Sequence, residues 1–154
     1  MPPRPLEGND SPIRLRRNSP NSDPTSTPGR AISLKQTRHR WPMASIDDLW
    51  LVDFGEPYPG EPAAHRPALV LGPPDTFGPA FPFVLVTPLT TTPRGLSLHV
   101  EVEPTDESGL DETSYVQCEL LRSINRRRLV HRLGTINPDA SLRVSSVVKT
   151  LLNY

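Results

Sequence analysis

The sequence predicts a small, mainly β fold: a barrel or strongly twisted sheet of five or six short, mostly antiparallel strands, closed by a C-terminal helix. Three observations predict it. Short apolar runs bounded by Gly and Pro recur from Ile46 onward, the pattern of short strands and turns. One of them, SLHVEVE over 97–103, alternates apolar and polar residues with the period of a half-exposed strand. The last apolar segment instead repeats at i, i+3, i+4, i+7 and i+8, the period of an amphipathic helix.

The 154 residues leave room for one domain with a modest core. Two regions are expected, 1–44 and 45–154. Eight of the chain's 20 prolines fall within the first 42 residues and interrupt every potential helix there. Ile13, Leu15, Ile32 and Leu34 are too sparse for a core, so this stretch is expected to stay unfolded. It carries eight basic side chains against three acidic ones, a net +5. The whole chain sums to zero, which leaves −5 on the remainder. The extension therefore reads either as a basic arm that gathers nucleic acid by charge or as a loose tail, absent altogether if translation starts at Met43. An acidic main body must make any nucleic-acid contact through local basic groups.

In the second region the strands follow in order. LWLVDF (49–54) is apolar and aromatic and ends at Gly55. A Pro-rich loop leads to RPALVLG (66–72), stopped by Pro73 and Pro74, and then FPFVLVTPL (81–89) runs into a Thr-rich turn. In 97–103, Leu98, Val100 and Val102 share one face, while Ser97, His99, Glu101 and Glu103 share the other. SYVQCELLRSI (114–124) is a further strand, bent or broken near Leu120. Asn137-Pro138-Asp139 is a helix start: a capping side chain, a proline in the first turn, then an acid at the positive end of the helix dipole. Val144, Val147, Val148, Leu151 and Leu152 line one face of that helix.

Several chemistries are excluded. GxxxxGK[ST], GxGxxG and GxSxG are absent. A lone Cys118 forms no disulfide within the chain, and with His39, His65, His99 and His131 it gives no zinc spacing. Asp47 and Asp48 are adjacent and point apart, and Glu101 with Glu103 reads as a solvated edge, so neither pair is expected to hold a metal. No metal and no cofactor are expected. No apolar run reaches membrane-spanning length, and the start MPPRPLEGND lacks the apolar stretch of a signal peptide, so a soluble cytoplasmic protein with no membrane partner is expected. Polar residues flanking the two longest loops remain as candidates: Glu61, His65 and Arg66; Thr90, Thr91 and Thr92; Gln117 and Glu119. Arg126, Arg127 and Arg128, with Arg132 beyond, form the dense basic patch of this region and read either as a grip on RNA or an acidic peptide, or as a solvated loop.

From Leu49 to Leu152 the sequence resembles the MazF/PemK toxins, and none of the first 44 residues takes part. LWLVDF resembles the family's opening strand, and PGEPAAHRPALVL resembles Gly-x-Glu-Gln-x-x-x-Arg-Pro-x-Leu-Val. VTPLTT resembles Val-x-Pro-[Ile/Leu]-Thr-Ser, HVEV is kept, CELLRSIN resembles [Cys/Leu]-Glu-Gln-Ile-Arg-Thr-Ile-Asp, and RLVHRLGTI is similar to the segment before the last helix. The resemblance implies an SH3-like twisted barrel with added helices, acting as a homodimer. It implies a toxin held by a cognate antitoxin protein, an endoribonuclease (mRNA interferase) that cuts single-stranded RNA without a metal. Arg66 and Thr90 fall on the family's catalytic positions, with Glu119 also expected to be catalytic and Glu61, His65, Thr91 and Gln117 to contact RNA. Pro62, Gln117 and Leu120 depart from the family pattern. Two rival readings use the same fold: a CcdB-like toxin that poisons gyrase, and a binding module whose nuclease activity has decayed.

Overall fold

Asp47, in the left-handed region at φ 72°, turns the chain into its first strand, and both oxygens of its carboxylate accept the Ser141 hydroxyl, pinning the C-terminal helix to the start of the sheet. The computed structural model describes residues 41–154 except Pro57 and Pro79; the expectation for 1–44 falls outside the described residues up to 40. In the described part of that segment, Ala44 is buried in the core.

Seven strands form: β1 (Asp48–Asp53), β2 (His65–Gly72), β3 (Phe83–Thr90), β4 (His99–Val102), β5 (Ser114–Gln117), β6 (Arg122–Asn125) and β7 (Leu129–Thr135), followed by the helix α1 (Pro138–Leu152). The order across the sheet is β4-β5-β3-β2-β1-β7, every pair is antiparallel, and the sheet is not closed. β3 has two partners on one edge: Phe83–Val86 pair with β6, Leu89 and Thr90 with β5. The expected strand 114–124 is accordingly split by a 3-10 turn at Cys118–Leu120, close to where the sequence predicts a break. β7 goes beyond the five or six strands expected, because Arg132 and Gly134 interrupt its apolar pattern.

Alternation along the strands builds two cores. Trp50, Val52, Ala68, Val70, Val84, Val86 and Ile124 bury on one face with Phe54 and Leu129. Leu49, Leu69, Leu89, Val100, Val102 and Val116 bury on the other, against Ala140 and Val144 of α1. The helix face holds only in part. Val144 is buried and Val147 and Val148 are half-buried, whereas Leu151 and Leu152 in the last turn are exposed. No helix among the described residues is long and apolar enough to cross a membrane.

Candidate functional site

The β2/β3 register runs from Val70↔Val86 to Ala68↔Pro88. Two residues further along each strand stand Arg66 and Thr90. Both therefore project from the face of Ala68 and Val70, at the end of the sheet where the β1–β2 loop enters and the β3–β4 loop leaves. On its far side Arg66 is paired with Val52, and Thr90 with Tyr115 of β5. Tyr115 in turn stands opposite Glu101 of β4. A row of side chains thus crosses one face of the sheet: Arg66, Thr90, Tyr115, Glu101. Paired strands lie about 4.8 Å apart, so Thr90, Tyr115 and Glu101 are each within reach of the next, and Arg66 continues the row just past the last β2/β3 pair at Ala68↔Pro88.

Arg66 is half-buried and, among the described residues, forms no hydrogen bond or ion pair; its planar fork is available to an anion. Thr90 is half-buried too, and its Oγ1 accepts the Thr92 amide at 3.2 Å, which leaves the hydroxyl proton to donate outward. Thr91 is exposed on the same turn. Glu61 lies on the exposed β1–β2 loop at this end of the sheet, where its backbone amide donates to Tyr58. His65 is exposed, but alternation sends it to the face opposite Arg66.

One residue departs from its expected setting. Gln117, expected to touch RNA, shares the face of Tyr115 but is only 6 % exposed, and its Oε1 is buried without a partner. Its main chain is also tied inward, with the Thr87 hydroxyl donating to the Gln117 carbonyl. Glu119 stands on the 3-10 turn after β5, beyond the Gln117–His99 pair that follows the row, and its Oε1 lies 2.7 Å from His99 Nε2.

Sequence reasoning missed Tyr115, Glu101 and His99. The signal for Glu101 and His99 was the alternation in 97–103, which put them on the polar face. What no linear pattern reveals is that β5 lays Tyr115 between Glu101 and Thr90. Desolvation first, then the charge and hydrogen bonding of Glu101 and the charge of Glu103, push the Tyr115 phenol above its ordinary range and keep it a hydrogen-bond donor.

The basic run is not a single patch. Arg126 is buried and donates to the carbonyls of Phe81 and Pro42. Arg127 lies over the Trp41 ring at 5.0 Å, and Arg128 donates to the Asp53 carbonyl. Arg132 pairs with buried Asp48. Of the four, Arg126 is buried, Arg132 is exposed but paired with Asp48, and Arg127 and Arg128 present charge at the surface. Among the described residues no group of three or more His, Cys, Asp or Glu side chains is set to hold a metal ion.

Comparison with solved structures shows the same fold in MazF from Deinococcus radiodurans, with a TM-score of 0.62 and 22% identity over 72% of this chain and 97% of that one. The Mycobacterium tuberculosis toxin MazF-mt6 matches at 0.57 and 23%, over 69% and 96% of the two chains. An endoribonuclease in complex with its cognate antitoxin, from a mycobacterial species, matches at 0.59 and 20%, over 72% and 96%. The model of the PemK-like, MazF-like toxins of type II toxin-antitoxin systems matches residues 47–152, from the turn before β1 to the end of α1. The chain therefore belongs to the PemK/MazF family of type II toxins.

Proposed function

We propose that this toxin is a metal-independent endoribonuclease that cuts single-stranded RNA, mRNA included, through the ribose 2′-hydroxyl. The observation that carries the proposal is the common face and common strand end of Arg66 and Thr90, with the guanidinium unpaired and the hydroxyl proton free. In the reaction the 2′-oxygen forms a bond to the adjacent phosphorus and the P–O5′ bond breaks, giving a cyclic phosphate and a 5′-hydroxyl. Arg66 carries the negative charge that builds on the non-bridging oxygens, and Thr90 donates to one of them. The proton leaving the 2′-hydroxyl goes to a carboxylate, and the departing 5′-oxygen takes one from water in the hydrogen-bonding field of Arg66. Of the two carboxylates expected from sequence, Glu119 is the better held: His99 fixes one oxygen, whereas Glu61 sits on an exposed loop. Thr91 and Glu61, on the loops at the same end of the sheet, are RNA contacts. The active form is a homodimer in the cytoplasm, restrained by a cognate antitoxin whose acidic tail competes with RNA for Arg66, Arg127 and Arg128.

The test maps cleavage ends on a defined transcript with the wild type and Arg66→Ala. Loss of one charge-stabilising donor lowers the rate by roughly 100- to 1,000-fold, with the fold intact and the antitoxin still bound through its other contacts. Equal rates for the two proteins would remove Arg66 from the chemistry. Intact RNA with the wild type, together with inhibited gyrase, would instead favour the CcdB-like reading.

A further inference from the structure

β4 presents Val100 and Val102 to the helix-side core, so His99 and Glu101 face the site. The imidazole of His99 is only 3 % exposed. Its Nε2 donates to Glu119 Oε1 at 2.7 Å, while its Nδ1 is buried with no partner. Gln117, directly opposite His99 across the β4/β5 register, also buries an unpartnered Oε1. Burying polar atoms unpaired is unfavourable. A valine or leucine at position 99 would fill such a site without that penalty. What the buried ring achieves, among the described residues, is its hydrogen bond to Glu119, a side chain that keeps 28 % of its surface exposed.

The position of Glu119 follows from the fold. β5 and β6 share one edge of β3, and the chain steps between them through the turn Cys118–Leu120. Such a turn fixes the backbone but leaves a glutamate side chain three rotatable bonds, and a proton acceptor that wanders reacts slowly. His99 removes that freedom by holding Oε1, while part of the Glu119 side chain stays exposed.

We propose that His99 is a positioning residue that holds the Glu119 carboxylate in the orientation needed to take the 2′-hydroxyl proton. The inference rests on the reading of Glu119 as proton acceptor in RNA cleavage. His99 touches no substrate itself; it acts through Glu119.

The experiment measures kcat and KM on a short RNA containing the mapped cut site for the wild type, Glu119→Gln, His99→Ala, His99→Gln, His99→Asn and the double variant His99→Ala/Glu119→Gln, with melting temperatures for each. His99→Ala lowers kcat by roughly tenfold, within the range of couplings between touching residues, and leaves KM within about twofold. His99→Gln, whose amide nitrogen reaches the place of Nε2, stays within about threefold of the wild type, whereas His99→Asn, whose amide reaches only the place of Nδ1, behaves like the alanine variant. The double variant is no slower than Glu119→Gln, because a positioning residue has nothing left to position. Wild-type kcat in His99→Ala, equal rates for the Gln and Asn variants, or losses that multiply in the double variant would each overturn the proposal. Those results leave Arg66-dependent cleavage standing. A Glu119→Gln variant as fast as the wild type removes the acceptor and this proposal with it, again without touching the Arg66 result.

Discussion

Cys118 shows how one residue's chemistry is set by its surroundings. It is 1 % exposed, the first residue of the turn that carries Glu119, and its Sγ points to the Val116 carbonyl. Burial first, then the negative charge of Glu119, raises the thiol to about 11 from an ordinary 9.0. At pH 8 two such units leave about 100-fold less thiolate in the folded protein than in the unfolded chain. An aromatic disulfide reagent is therefore expected to label Cys118 at least about 100-fold more slowly in the native protein than in denaturant. Comparable rates would show the thiol to be open. The linkage has a definite sign. The folded state keeps its proton where the unfolded state loses it, so this contribution to stability is complete below pH 9 and is lost as the pH rises toward 11. At the same scale the site was partly legible. Arg66 and Thr90 sit in short blocks whose composition is distinctive, and the β2/β3 register then sets them on one face. The place of Tyr115 in the row was not legible, because it depends on which strands stand beside it, and neither was the burial of Gln117, because strand alternation alone does not say how deep a residue lies.

Elements were read best where the cause is local. The start of α1 is an example: Asn137 Oδ1 accepts the Ala140 amide at 2.8 Å, Pro138 opens the helix, and Asp139 stands in its first turn. Replacing Asn137 by Ala is expected to lower stability by about 1 kcal/mol, read from urea unfolding, and Asn137→Asp by far less. Because α1 packs on the face opposite the Arg66 row, cleavage at a temperature where both proteins are folded should not change. Lost activity at unchanged stability would mean that the helix communicates with the site. The step between β5 and β6 was legible as a break but not in its consequence, since nothing local says that both halves return to the same edge of β3. β7 was invisible for a related reason. Its Gly134 is demanded by a distant segment: a Cβ there would run into the carbonyls of Glu107 and Ser108 in the β4–β5 loop. A glycine that reads locally as an interruption is what lets that loop lie on the strand.

At the scale of the whole molecule, composition divides the chain near residue 42, and packing moves that division slightly. Arg127 covers Trp41, the buried guanidinium of Arg126 donates to the Pro42 carbonyl at 3.3 Å, and Ala44 joins the core. A protein beginning at Met43 therefore loses a cation–π contact and a charge-assisted hydrogen bond, together worth roughly 1–2 kcal/mol at a partly exposed site. For a domain of this size that lowers Tm by several degrees. A protein beginning at Trp41 keeps both contacts. RNA affinity separates the two in the opposite way. The first 42 residues carry +5 against −5 for the remainder. If that charge gathers RNA, the salt dependence of binding depends on residues 1–40 and is shallower in both shortened proteins, by about 0.7 in the log–log slope for each cation engaged on a single strand. Stability that is unchanged by removing Trp41 and Pro42 would mean that the domain begins at Met43 after all, and a salt slope indifferent to residues 1–40 would leave RNA capture entirely to the face that holds Arg66.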